Sequence, residues 1–280
     1  MSIQEIVNLL IDAGIEKNEA NAEVKLLLEH YCGFKPIDII FGKKLDTSKL
    51  SVVRDKVLER IKTNRPVQYI MGFGYFMGEK FIVNENVLIP RDETEILVNK
   101  VVEKALITNS KNILDIGTGS GCIACSVAKA IDGHILGVDI SNEALKIAYE
   151  NSKRLFLEKR VVFRQSDLFS KIEQSEKFDI IVSNPPYIPP QEKENLQKEV
   201  LKEPELALFT NDEKGLEFYE KIIQTAPKFL NKNGYIMFEL GFGQSEDVKN
   251  ILLKNCFKNI EIEKDLANID RVITAQISHF

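Results

Sequence analysis

The segment that most constrains the fold is a short apolar run, Asn112-Ile113-Leu114-Asp115-Ile116, that passes directly into Gly117-Thr118-Gly119-Ser120-Gly121. Ile123-Ala124-Cys125-Ser126-Val127-Ala128 then reads as a helix, so a strand turns into a helix through three alternate glycines. Glycine brings the backbone close to a ligand and reaches positive φ without a Cβ penalty, so such a turn is built for binding. The spacing weakens a dinucleotide reading. Gly-x-Gly-x-x-Gly needs a glycine two positions after Ser120, where Cys122 stands, and the third glycine falls one residue early at Gly121.

Three more strands end in polar loops. His134-Ile135-Leu136-Gly137-Val138-Asp139 closes on a carboxylate 18 residues past Gly121, where an acid can accept from both hydroxyls of a ribose. Val161-Val162-Phe163-Arg164-Gln165 leads to Ser166-Asp167-Leu168-Phe169, and Phe178-Asp179-Ile180-Ile181-Val182 leads to Asn184-Pro185-Pro186-Tyr187. Taken singly, each acid reads as a solvated loop residue or helix cap, and the last corner as an X-Pro-Pro turn. Four in succession, each at the C-terminal end of a strand, occupy the edge where open α/β sheets bind ligands. The Asn-Pro-Pro-Tyr corner also suits a planar NH2. The Asn184 side-chain oxygen accepts one hydrogen bond and the Pro185 carbonyl another, while consecutive prolines supply no N–H of their own. Tyr187 can lie against the flat group held there.

At 280 residues the chain is long enough for a full α/β domain plus a smaller one, and 44% hydrophobic with 28% charged residues is ordinary for a globular protein. No apolar run approaches a membrane span, and the start of the chain lacks the pattern of a signal peptide, so a cytoplasmic protein is expected. Residues 1–90 carry 12 basic and 12 acidic side chains and the rest 25 and 30, without the basic excess of a nucleic-acid binder. The mixed charges of residues 193–202 read as a solvated helix face. Cys122 and Cys125 lack the second pair a zinc site needs and read as small packing residues. His30, His134 and His279 show no ligand spacing, so no metal is expected.

Helical spacing before residue 65 (Ile3, Ile6, Leu9, Leu10; Ala22, Val24, Leu26, Leu27, Leu28; Val52, Val53, Val57, Ile61) predicts a small bundle of four or five helices. Gly14, Gly33 and Gly42 stand where these helices should stop. The glycine- and aromatic-rich stretch from Tyr69 to Gly78, with Lys80-Phe81-Ile82-Val83, reads as a hairpin. From Pro90 onward strands and helices alternate, which gives a mostly parallel sheet covered on both faces, and two strands near the end suggest an antiparallel closure. The expected organisation is a small helical domain at 1–68, a β-hairpin linker at 69–90 and a Rossmann-like domain at 91–280.

The Asp-x-Gly-x-Gly-x-Gly loop resembles the cofactor loop of S-adenosyl-L-methionine-dependent methyltransferases. Across essentially its whole length the chain resembles the HemK/PrmC family. The resemblance is carried further by Arg65-Pro66-Val67-Gln68-Tyr69-Ile70 with Gly72, Leu88-Ile89-Pro90-Arg91, and Glu203-Pro204-Glu205-Leu206-Ala207-Leu208. Phe238-Glu239-Leu240-Gly241 with Gln244, and Asp270-Arg271-Val272, complete it. The family's usual Ile-Pro-Arg-Pro-Asp-Thr-Glu here becomes Ile89-Pro90-Arg91-Asp92-Glu93-Thr94-Glu95, which leaves the roles of Arg91, Asp92 and Glu93 undefined. Thr94-Glu95 matches the release-factor branch better than the branch that methylates a ribosomal protein.

The resemblance implies an S-adenosylmethionine-dependent protein-(glutamine-N5) methyltransferase acting on class-I peptide chain release factors by direct in-line transfer. It implies cofactor binding by Gly117, Thr118, Gly119, Ser120, Gly121, Asp139, Asp167, Leu168 and Asn184. Asn184, Pro185, Pro186 and Tyr187 would hold the substrate, with Asn184, Pro185 and Tyr187 serving catalysis. The expected protein is a monomer that contacts neither nucleic acid nor membrane. The same corner also marks enzymes that methylate exocyclic amines of adenine or guanine. A non-catalytic binding module that keeps the cofactor fold is the remaining alternative.

Overall fold

The computed structural model describes residues 2–278 apart from residue 44, so His279 lies outside the described residues. The chain divides into two compact units, Met1–Phe73 with Gln197–Lys202, and Gly74–Leu196 with Glu203–Phe280.

The first unit is helical. Helix α1 (Ile3–Asp12) opens on a capping box, with the Glu5 N–H donating to Ser2 Oγ at 3.2 Å and the Ser2 N–H donating to Glu5 Oε2 at 2.7 Å. Helix α2 (Lys17–Cys32) stops at Gly33, whose φ of +62° is the left-handed conformation that frees the last carbonyls from further helix. Helices α3 (Pro36–Ile40), α4 (Thr47–Thr63) and α5 (Val67–Met71) follow. Ile6, Leu10, Val24, Leu27, Val53 and Val57 meet in one core, as the 3.6-residue spacing requires, while Ala22 and Val52 face outward. The hairpin expected from Tyr69 begins later. Residues 67–71 are helical because Pro66 presets the helix start and Gly72, at φ +81°, ends it.

Arg60 is only 1% exposed, and its Nε donates to Glu23 Oε1 at 3.1 Å while Nη2 donates to Glu199 Oε1 at 2.6 Å. Residues 193–202, expected as a solvated helix face, are largely exposed but form short 3-10 turns (Pro190–Asn195 and Val200–Lys202) rather than one helix, and Glu199 is committed to a buried cation. A mixed-charge pattern cannot disclose a partner so far away in the chain.

The second unit starts with the hairpin of β1 (Phe73–Phe76) and β2 (Glu79–Ile82), turned at Met77 and Gly78, both at positive φ. Then come α6 (Asp92–Thr108), β3 (Asn112–Ile116), α7 (Cys122–Ala130), β4 (His134–Asp139), α8 (Asn142–Arg154), β5 (Val161–Gln165) and β6 (Phe178–Ser183). The chain closes with α9 (Glu205–Leu208), α10 (Glu217–Thr225), β7 (Leu230–Glu239), α11 (Ser245–Lys254), β8 (Phe257–Lys264) and β9 (Asp270–Ile277). The seven long strands form one sheet in the order β5-β4-β3-β6-β7-β9-β8. Pairing is parallel from β5 to β7, and β9 runs antiparallel to both β7 and β8, which is the closing pair expected from sequence. Apolar cores cover the sheet, one including Leu114, Ile181, Ile236 and Tyr219, the other Ile113, Ile180, Val98 and Cys125. The strand order reverses between β3 and β6, the switch point where open α/β sheets bind ligands.

The buried Arg60 pair yields a prediction. Arg60→Ala leaves Glu23 buried without a counter-charge and should cost about 3–5 kcal/mol in urea denaturation. Arg60→Ala combined with Glu23→Gln should recover much of that loss. A single variant within 1 kcal/mol of wild type, on the order of a surface pair, would contradict the account.

Candidate active site

The Gly loop leaves β3 at Ile116. Gly117, Gly119 and Gly121 sit at φ +72°, +54° and +78°, so all three alternate positions need left-handed backbone. The loop is pinned at its base. The Gly117 and Thr118 N–H groups donate to the Val138 carbonyl at 2.8 and 3.0 Å, and the Gly119 N–H donates to Asp139 Oδ2 at 2.9 Å. Gly121 also admits α8, since a Cβ there would lie 3.1 Å from Ala148 Cβ and from Phe163. Asn151 of α8, fully buried, donates to the Ser120 carbonyl at 2.9 Å. The same amide exchanges hydrogen bonds with the Ile82 backbone at 2.7 and 3.0 Å, which ties loop and hairpin together.

Asp115, inside β3, is fully buried, and burial pushes its carboxyl up to about 7. Thr118 Oγ1 donates to its Oδ2 at 2.6 Å, whereas Asp115 Oδ1 and the buried Ser120 Oγ make no hydrogen bond within the described residues. Asp139 is half-buried and raised, chiefly by burial, and its Oδ1 also accepts from the Ser141 N–H at 2.9 Å. The acid expected at a ribose thus also anchors the glycine turn. Asp167 is exposed. Leu168, half-buried at φ +46°, is held there by Ser166 Oγ donating to its carbonyl at 2.7 Å.

The Asn-Pro-Pro-Tyr corner follows β6, aligned with the Gly loop because Ile116 pairs with Ser183 in register and Ser183 Oγ donates to the Ile116 carbonyl at 2.7 Å. Asn184 Nδ2 donates to Thr94 Oγ1 at 3.2 Å, and Thr94 Oγ1 donates to Glu239 Oε2 at 2.5 Å. The Tyr187 hydroxyl donates to Glu239 Oε1 at 3.3 Å. Glu239, at the end of β7 and 2% exposed, is raised to about 7 mainly by burial. Its backbone carbonyl accepts from the Tyr219 hydroxyl at 2.8 Å. Among the described residues, neither Asn184 Oδ1 nor the Pro185 carbonyl receives a hydrogen bond. Gln244 holds the far side of the corner, its Nε2 donating to the Tyr187 and Lys214 carbonyls at 3.0 Å each.

Residues 2–72 match the PrmC N-terminal domain, and residues 107–272 match a methyltransferase domain. The chain is 38% identical over 264 residues to the release factor glutamine methyltransferase of Flavobacterium psychrophilum, covering 92% of each chain. It is 43% identical over 235 residues to the enzyme of that name from Thermodesulfovibrio yellowstonii, covering 83% of this chain and 84% of the other. The chain belongs to the release factor glutamine methyltransferase family. A solved methyltransferase from Pyrococcus furiosus, 16% identical with a TM-score of 0.55 over 82% of this chain and 100% of that one, shares its fold.

A release factor glutamine methyltransferase takes its methyl from S-adenosylmethionine, and the loop can be tested against that group. The cofactor carries an ammonium, a carboxylate, two ribose hydroxyls and an adenine. The unpartnered Asp115 Oδ1 and Ser120 Oγ beside three glycines, with a carboxylate at the end of β4, suit such a ligand. A pyrophosphate would meet two carboxylates here. Sequence reading missed Glu239 and Thr94 as parts of the site, although both lie in segments that carry the family resemblance. Glu203 escaped it too. Only 5% exposed, it pairs with Arg91 and accepts from the Ile89 N–H at 2.9 Å, fastening the start of α6.

Asp115 gives a pH test on the ligand-free protein. An acid raised on folding favours the fold below its unfolded pKa and loses that contribution as pH rises through its folded value. Between the ordinary 3.8 and about 7, wild type should therefore lose stability as pH rises at this site. The loss is on the order of a few kcal/mol, and Asp115→Asn should flatten the profile. Parallel denaturation profiles for wild type and Asp115→Asn would show that the carboxyl is not raised.

Proposed function

We propose that this chain methylates the side-chain amide nitrogen, N5, of a glutamine in class-I peptide chain release factors. When bound, S-adenosylmethionine supplies a methyl on a sulfonium that carries its own leaving group. Gly117, Thr118, Gly119, Ser120, Gly121 and Asp139 would hold the cofactor, with Asp167 and Leu168 at its adenine and Asn184 at its reacting end.

The observation that carries this reading is the orientation of Asn184. Its Nδ2 is committed to Thr94, so Oδ1 remains an acceptor, and the Pro185 carbonyl is a second one. Two acceptors match the two N–H bonds of a primary amide and bias the nitrogen lone pair toward the methyl. They also stabilise the positive charge that grows on nitrogen, so no strong base has to remove a proton first. Tyr187, fixed by Glu239 and Gln244, would lie against the amide plane, with Pro186 holding the loop backbone between them.

We read residues 1–68 as the domain that meets the protein substrate, 69–90 as the linker and 91–280 as the catalytic domain. The chain would act as a cytoplasmic monomer. Among its described residues no helix is long and apolar enough to cross a membrane.

Kinetics with a purified release factor test the roles. Asn184→Ala should lower kcat by about 100-fold or more, as loss of a preorganised hydrogen-bonding group does elsewhere. The cofactor Kd should stay within about threefold of wild type, since Gly117, Thr118, Gly119, Ser120, Gly121 and Asp139 would still hold the cofactor and Asn184 meets only its reacting end. Unchanged turnover in Asn184→Ala would overturn the assignment.

A further inference from the structure

Resting on that reading of the reaction, we propose that Glu239 is a positioning residue whose carboxylate, acting through the Thr94 hydroxyl, sets which end of the Asn184 carboxamide meets the substrate. The argument is one of hydrogen-bond direction. A threonine hydroxyl has a single proton, and Thr94 gives it to Glu239 Oε2 at 2.5 Å. Toward Asn184 it can then offer only a lone pair, and Asn184 answers with Nδ2 at 3.2 Å. Oδ1 is therefore turned to the other side, as the acceptor a substrate NH2 requires. The second oxygen of the same carboxylate takes the Tyr187 hydroxyl at 3.3 Å, so one group orients both side chains of the corner.

The relay is directional, and protonation reverses it. A carboxylate accepts from Thr94 and Tyr187 together. A carboxylic acid carries a donor of its own and, with its proton on Oε2, donates to Thr94 Oγ1. The Thr94 proton is then free to turn to Asn184, whose carboxamide answers with Oδ1 and presents its NH2 outward. Two NH2 groups would then face each other.

The groups around Glu239 come from every element packed on it. Thr94 and Glu93 belong to α6, Tyr187 follows β6, Arg271 lies on β9, Tyr219 on α10 and Cys122 on α7. Burial and Glu93 favour the acid, while Thr94, Tyr187 and Arg271 favour the carboxylate, which leaves the balance near about 7. Both states are then within reach of ordinary pH.

The test is kcat against pH with a purified release factor and saturating S-adenosylmethionine. Wild type should show turnover that rises through the Glu239 pKa and levels above it, and Glu239→Gln should lose that acidic limb. Thr94→Val, which removes the acceptor for Asn184, should lower kcat by about 30-fold or more while KM for the factor and the cofactor Kd stay within about threefold. Thr94→Ser should recover most of the turnover. Thr94→Val and Thr94→Ser are compared at matched melting temperatures, so the test survives a Glu239→Gln protein that fails to fold. An acidic limb that persists in Glu239→Gln, or full turnover in Thr94→Val, overturns the relay while leaving the substrate assignment intact. A wild type that transfers no methyl to the factor overturns the assignment, and the relay falls with it.

Discussion

The parallel pairing of β3 with β4 on one side and β6 on the other is the constraint on which the site depends. It sets the Gly loop, Asp139 and the Asn-Pro-Pro-Tyr corner side by side at one edge of the sheet. Asp115 is opposite Gly137 and Val182, and Ile116 opposite Val138 and Ser183, so the strands end at one level. β7 adds Glu239 one residue beyond Phe238, the partner of Ser183. A slip of one residue in any strand would turn these side chains to the other face. Gly137 shows how closely the parts fit, since a Cβ there would come within 2.7 Å of the Phe163 ring and 2.8 Å of Thr118 Oγ1.

Two buried carboxyls then order the two loops. Asp115 steadies the Gly loop through Thr118, and Glu239 steadies the Asn-Pro-Pro-Tyr corner through Thr94 and Tyr187. Among the described residues neither has a close ion-pair partner, and both are raised by burial to about 7. Burying a charge without a counter-charge is costly unless hydrogen bonds replace water. Each carboxyl accepts such bonds from side chains that line the site, so the cost of burial is coupled to the order of the groups that would hold cofactor and substrate.

Much of this was legible in the sequence because the informative features are local. Three alternate glycines after an apolar run, an acid ending the next strand and two prolines after a third each state a backbone requirement within a few residues. The helical bundle followed from apolar spacing in the same way. Glu239 was not legible as part of the site, since a single acid at the end of an apolar strand looks like the last polar residue before a loop. Its meaning comes from Thr94, 145 residues away in the chain. The Arg60–Glu199 pair was hidden for the same reason. The start of the hairpin was misplaced because Tyr69-Ile70-Met71 suits a strand as readily as a helical turn, and the choice rests on Pro66 and Gly72 at its ends.

The most direct measurement maps the transferred methyl. Purified protein is incubated with labelled S-adenosylmethionine and a class-I release factor, with duplex DNA and ribosomal RNA in parallel, and the products are digested and sequenced by mass spectrometry. The account predicts one methyl on the side-chain nitrogen of a single glutamine in the factor, absent when that glutamine is replaced, with no label on either nucleic acid. Label on an exocyclic base amine, with none on the factor, would contradict it.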